Sequence, residues 1–269
     1  MAAPYQRRYK VSYWDTDMFL LASPLALLGY MEETATWHSE EVGNSLSYLR
    51  EQGKAWLLHQ VRLKVERYPR WREEIKVSTW VEDIRRCFAH RHFEIEGEGG
   101  ALAWAATLWI LVDLFTHKPC SIPSSIGDPY GRLFRGTVDL TLTSRSFSFP
   151  DKISGEKFVA GVADLDLNFH VNHKKYLYWV LNTLPQELYR ECFLSDVEIL
   201  YKRETGWGEG VFCYTQKIYP SSSKSFLHFL YTRDKELALA STLWKRRGNK
   251  PEKGWLRNSV LSPESSLLP

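Results

Sequence analysis

The chain repeats itself once, and that repeat restricts its fold more than any single motif does. The heptapeptide AWAATLW at 103–109 returns as ALASTLW at 238–244. Upstream, RYPRW at 67–71 lines up with RETGW at 203–207. Further upstream, Asp15-Thr16-Asp17 lines up with Asp164-Leu165-Asp166. The order is the same and the offsets are similar, which indicates a duplication. Each copy reads as a short extended segment, then a helix, then several strands. In copy one, Ser23-Pro24 starts a helix with Pro at its first position, Leu28, Met31, Ala35 and Val42 recur at helical spacing, and Gly43 ends it. Alternating or β-rich runs follow at 56–65, 75–81, 89–96 and 101–112. In copy two, Asn172 is a good N-cap and a helix face runs from Tyr176 to Leu181. Its strands are expected at 195–202, 211–219, 225–232 and 237–245.

One helix followed by an antiparallel sheet, twice, gives an α+β architecture of two helix-wrapped sheets that can pair edge to edge. The halves are expected at 1–118 and 151–248. A Pro-, Gly- and Ser-bearing linker joins them at 119–150, with a strand expected near Thr137–Leu142, and a polar tail covers 249–269. No apolar run is long enough to span a bilayer, and the N-terminus lacks the apolar stretch of a signal peptide. The four cysteines are scattered without a CxxC pair, so neither a metal site nor a disulfide framework is indicated. A formal net charge of +3 is too weak to imply nucleic acid. A reducing, cytoplasmic setting without cofactor or metal is the expectation.

The run DLDLNFHVN at 164–172 carries the chemistry. In an extended backbone Asp166, Asn168 and His170 share one face, while Leu165, Leu167, Phe169 and Val171 share the other and pack. The polar row ends at a helix N-terminus, where free N–H groups favour developing negative charge. Laying the copies together puts Asp17 on Asp166, Phe19 on Asn168, Leu21 on His170, Ser23 on Asn172 and Tyr68 on Glu204. The capping position is polar in both copies. The Asn, His and Glu stand in copy two alone, opposite apolar or aromatic residues in copy one. A purely structural role calls for similar residues in both, so copy two reads as the reactive half and copy one as the half that accepts something apolar.

On these motifs, with Tyr176 and Trp179 after the run, YPRW at 68–71, ATLW at 106–109 and YKRE at 201–204, the chain resembles the acyl-[acyl carrier protein] thioesterases. The resemblance covers most of the chain and implies a tandem, or double, hotdog fold. It also implies hydrolysis of acyl-carrier thioesters to free fatty acid and carrier, the step that terminates fatty acid synthesis. It carries the catalytic roles onto Asp166, Asn168, His170 and Glu204. Glu204 is then the general base for water, an acyl anhydride on the same carboxylate being the less favoured route. Asn168 and His170 position water and carbonyl, Asp166 orients Asn168, and N–H groups around Val171–His173 hold the oxyanion. Two positions depart from the family pattern. Thr205 stands where many members have Cys, which excludes a thiolate at that place, and His173 stands where Asn is usual.

By the same resemblance the acyl chain lies in the first half, with Leu28, Met31 and Ala35 on its helix and Trp56, Leu58 and Trp104 on its strands as candidate lining. Each of these is equally what a core needs. The partner is an acidic acyl carrier protein, for which Lys174, Lys175 and Arg203 are the candidate contacts; a homodimer is left open. An acyl-CoA thioesterase, a non-catalytic acyl-thioester-binding module and a hotdog hydratase are the competing readings.

Overall fold

A computed structural model describes residues 3–133, 135–140, 155–218 and 224–248. Its strands are β1 (Tyr5–Lys10), β2 (Lys54–Val65), β3 (Glu74–Arg85), β4 (Phe88–Gly97), β5 (Gly100–Asp113), β6 (Lys118–Pro119), β7 (Glu156–Val159), β8 (Cys192–Tyr201), β9 (Gly210–Lys217), β10 (Lys224–Tyr231) and β11 (Glu236–Arg246). The helices are α1 (Pro24–Glu41), α2 (Leu46–Glu51), α3 (Ser124–Gly127), α4 (His173–Asn182) and α5 (Gln186–Glu191). The expected helix of each half and the eight strands expected within the halves are present. The short α2 and α5, and the charged edge strand β1, fall below what periodicity resolves.

Helix α1 begins where its caps dictate: Ser23 Oγ accepts from the Ala26 N–H and Pro24 occupies the first turn. Its buried residues Leu27, Leu28, Met31, Thr34, Ala35 and His38 recur at three- and four-residue steps, so one stripe faces the sheet. Helix α4 is capped by Asn172, whose side chain accepts from the Lys174 N–H, and buries Tyr176, Leu177, Trp179 and Val180. It starts three residues before the apolar face does, because the cap and not the first apolar residue sets the start.

All strands form one antiparallel sheet in the order β1-β3-β4-β5-β2-β8-β11-β10-β9-β7, with β6 on β5. The halves meet at the β2–β8 pair, where Val61 faces Ile199, Arg62 faces Glu198 and Leu63 faces Val197. By the repeat, Arg62 and Glu198 are equivalent positions. They face each other, so a local two-fold axis passes through this pair. The Arg62 guanidinium donates to both oxygens of Asp196 at 3.0 and 2.9 Å, and Gln60 Nε2 donates to Glu198 at 2.6 Å. One apolar cluster runs across the seam, joining Leu27 and Met31 of α1 to Leu177 and Trp179 of α4.

The described part of the linker is not a free connection. Ile126 and Tyr130 are buried against the first half, and Trp80 Nε1 donates to the Arg135 carbonyl. The linker then crosses β4 and β5 through Thr137, which bonds His92 and the Ala105 carbonyl, and reaches β2 where Arg62 donates to the Asp139 carbonyl. No strand forms over the described residues 137–140, in place of the one expected near Thr137–Leu142. Thr137 spends its side chain and backbone on His92 and Ala105, so the segment lies across the strands instead of joining their edge. The rest of that expected strand, and the tail 249–269, lie outside the described residues. Among the described residues no helix is long and apolar enough to cross a membrane.

Candidate active site

The polar run 164–172 is not extended. It folds back on itself: the Asp166 N–H donates to the His170 carbonyl at 2.8 Å, and the Phe169 N–H to the Asp166 carbonyl at 3.1 Å. Leu165 pairs with Val171 across the turn, and Phe169 takes φ 61° to close it. Asp166 Oδ1 sits inside this loop and accepts from the Asn168 and His170 N–H groups at 2.8 and 3.2 Å. The expected packing face therefore does not form. Val171 is buried, but Leu167 and Phe169 are 65% and 79% exposed at the tip. A tight turn destroys the two-residue alternation on which that expectation rested.

The turn is pinned to the segment after β8. The Val171 N–H donates to the Thr205 carbonyl at 2.9 Å, and His170 bridges to Gly206. That pairing brings His170 Nε2 to 3.1 Å from Glu204 Oε2, with both side chains partly open to solvent. Thr205 is buried and donates its hydroxyl to Glu209 at 3.0 Å. Around the start of α4, Tyr201 donates its hydroxyl to the His173 carbonyl and Tyr176 donates to the Arg203 carbonyl. Burial holds the His173 imidazole below its ordinary pKa, against the opposing pull of Glu32, so it stays neutral near pH 7. Of the three N–H groups expected to hold an oxyanion, Val171's and Asn172's are already donated, to Thr205 and Asp164. Among the described residues, only that of His173 is left.

Two adjoining cavities meet at this place. One, of about 340 Å³, is lined by Asn168, His170, Glu204, Tyr201, Trp56 and Leu58 among others. The other, of about 510 Å³, lies between α1 and the first-half strands, where Ala35, Leu49, Trp56, Val81, Ala89 and Trp109 contribute. Glu32, Trp56, Trp109, Asp166, Asn168 and Asn172 border both. Asp166, Asn168, His170 and Glu204 are thus together at the mouth of a mostly apolar space. Of the expected lining residues, Ala35, Trp56 and Leu58 border a cavity. Leu28 and Met31 do not; they are core residues, 4% and 2% exposed. Trp104 lies on the opposite face of the sheet, donating its indole N–H to Glu94, because the inward positions of β5 near it are Ala103 and Ala105.

Lys174 is ion-paired with Glu32 at 3.1 Å and Lys175 with Asp164 at 2.9 Å, while Arg203 is exposed. Glu32 escaped the sequence reading because a Glu on a helix face carries no pattern; only α1 crossing to α4 makes it a neighbour of the site. Arg91 and Tyr130, which also line the larger cavity, were missed too. A signal for Arg91 existed: it interrupts the inward alternation Ala89, Phe93, Ile95 of β4. Among the described residues no group of three or more His, Cys, Asp or Glu is placed to hold a metal ion.

The first half-site explains the asymmetry between the copies. Asp17 Oδ1 accepts from the Phe19 and Leu21 N–H groups, and Leu20 takes φ 56°, so the same turn is built there. Tyr68, at the position of Glu204, is buried and donates to the Leu194 carbonyl at 2.8 Å. The Arg247 guanidinium lies over the Phe19 ring at 4.2 Å. Side chains fill this pseudo-site, whereas its counterpart opens onto the cavities.

Comparison with known proteins matches the chain in two parts. The family models for the acyl-ACP thioesterase N-terminal domain and C-terminal domain match residues 2–130 and 150–246. An acyl-[acyl-carrier-protein] hydrolase of Cuphea viscosissima, chloroplastic by name, is 24% identical over 279 residues, covering 97% of this chain and 66% of that protein. A dodecanoyl-[acyl-carrier-protein] hydrolase of Umbellularia californica is 25% identical over 217 residues, covering 74% of this chain and 56% of that protein. The chain thus spans between about half and two thirds of the length of the curated relatives it matches. Among solved structures, an oleoyl thioesterase (putative) from Lactobacillus plantarum superposes with TM-score 0.82 at 21% identity, over 92% of this chain and 98% of that one. The 12:0-ACP thioesterase of Umbellularia californica does so with TM-score 0.79 at 22% identity, over 91% and 94%. At these identities the likeness establishes the fold, a double hotdog.

Proposed function

The chain belongs to the acyl-ACP thioesterase family, and from that premise we propose that it hydrolyses acyl chains from acyl carrier protein, releasing free fatty acid and carrier. The observation that carries this reading is the His170–Glu204 pair, 3.1 Å apart, lining the smaller cavity next to Asp166, Asn168 and Asn172, which border both cavities. Glu204 takes a proton from water, and the resulting hydroxide attacks the thioester carbonyl. His170, 3.1 Å from one Glu204 oxygen, holds the carboxylate so that the other faces the water. The Asn168 amide and the His173 N–H stabilise the oxyanion as charge develops. Asp166 works through the backbone, holding the turn that aims Asn168 and His170. Collapse of the tetrahedral intermediate expels the carrier thiolate, which takes the proton held by Glu204 and returns that residue to its carboxylate form.

The acyl chain occupies the larger cavity beside Ala35 and Trp56. The acidic carrier docks at the mouth, where Arg203 has no ion pair among the described residues, unlike Lys174 and Lys175. A cytoplasmic setting is part of this proposal; the curated relatives are chloroplastic by name.

The test is release of free thiol from a panel of acyl-carrier and acyl-CoA thioesters. Glu204→Gln is expected to lower kcat by about 10²-fold or more, in the range of a lost general base, with an unchanged melting temperature. Turnover within about threefold of the unaltered protein would remove Glu204 from the role of base. Faster release from CoA than from carrier at every chain length would transfer the activity to acyl-CoA.

A further inference from the structure

The larger cavity contains a charge that a pocket for a plain hydrocarbon does not need. Arg91, on β4, points inward and is 6% exposed. Its Nη1 donates to His38 Nδ1 at 3.1 Å and to Thr79 Oγ1 at 3.2 Å, and its guanidinium lies 5.2 Å from the centre of the Tyr130 ring. Among the described residues no carboxylate pairs with it. The nearby acceptor is neutral, since burial and the Arg91 charge push the His38 imidazole down to about 3. A guanidinium has five N–H donors. Those on Nε and Nη2 have no hydrogen-bond partner among the described residues.

Such a cation is expensive to bury. A methyl-ended chain pushed against it displaces the water that solvates it and returns nothing. A chain bearing an acceptor oxygen restores the lost hydrogen bonds, and an anionic one also supplies the missing counter-charge. Resting on the hydrolase reading above, we propose that Arg91 forms an oxygen-binding subsite in the acyl cavity. The substrates are then acyl thioesters that carry a further oxygen group along the chain, a carboxylate in the first place. A site built around an unpaired donor discriminates strongly against analogues that lack the acceptor.

Direct binding tests this without turnover. The full chain is titrated calorimetrically with straight-chain monocarboxylic, hydroxycarboxylic and dicarboxylic acids of matched length. The unaltered protein is expected to bind the dicarboxylic acid of best-fitting length about tenfold or more tighter than the monocarboxylic acid. A hydroxy acid that binds as tightly supports the subsite with a neutral acceptor. Arg91→Met is expected to erase the preference and tighten the plain chain, while Arg91→Lys keeps part of it. Equal affinity for plain and oxygenated acids at every length in the unaltered protein, which needs no variant to fold, overturns the inference. So does an unchanged preference in a folded Arg91→Met protein. The matching thioesters separate this outcome from failure of the hydrolase reading. Release from plain chains alone keeps the hydrolase and overturns the subsite. Release from none removes the hydrolase, and the calorimetry then decides the subsite by itself.

Discussion

Asp17 and Asp166 are the same residue twice, each holding a tight turn by accepting two backbone N–H groups. Their shared role is structural, and what each turn presents differs. Replacing either by Ala strands two donors and is expected to cost about 1–3 kcal/mol, read as a drop in the denaturant midpoint. Only Asp166→Ala should also lower kcat, because only its turn carries Asn168 and His170. Equal activity of the two variants would separate the turn from catalysis. Phe169 and Leu20 hold left-handed backbone at the tips of these turns, which a residue with a Cβ tolerates poorly. Since Phe169 is 79% exposed, Phe169→Gly is expected to leave stability within about 1 kcal/mol despite the loss of a large apolar side chain.

At the scale of elements, the β2–β8 pair decides most. It is one antiparallel ladder, yet it carries the local two-fold axis, the Arg62–Asp196 pair and the continuity of the core. Leu63 lies there fully buried, and Leu63→Ala is expected to cost about 2–5 kcal/mol. Because the core crosses the seam, both halves should melt in one transition, seen as coincident tryptophan fluorescence and far-UV circular dichroism curves. Two separated transitions would contradict a shared core. The helices follow the same logic: α1 of one half meets α4 of the other, and so Glu32 reaches Lys174 and the site.

For the whole molecule, two buried histidines set a pH limit. His228 lies between the hydroxyls of Thr215 and Thr242, and burial pushes its pKa down to about 3, as it does for His38. The unfolded chain takes up protons at these histidines near their ordinary 6.5. Between that value and about 3, U binds more protons than N, so stability rises with pH in this window and is lost as pH falls through it. Each histidine contributes a slope of about 1.4 kcal/mol per pH unit there. A lower denaturant midpoint at pH 5 than at pH 7 is expected, and an unchanged midpoint would mean that these imidazoles are not held neutral.

What the chain determined by itself was whatever local pattern and duplication encode. Alternation located the eight long strands, caps located the two long helices, and the repeat implied two like halves joined at their sheets. Laying Phe19, Leu21 and Tyr68 against Asn168, His170 and Glu204 already separated a polar site from an apolar one. The tertiary structure decided what depends on distant residues sharing a volume. The motif read as an extended row is a turn, because Asp166 recruits the N–H groups two and four residues on. Side chains from far along the chain occupy the first half-site: Arg247 lies over Phe19, and Tyr68 is buried against the Leu194 carbonyl. The cavity passes by Leu28, Met31 and Trp104 and takes in Arg91 and Tyr130. Periodicity assigns a residue to a face, but whether that face meets packed side chains or open space is set by the summed volumes of elements that sequence order does not bring together.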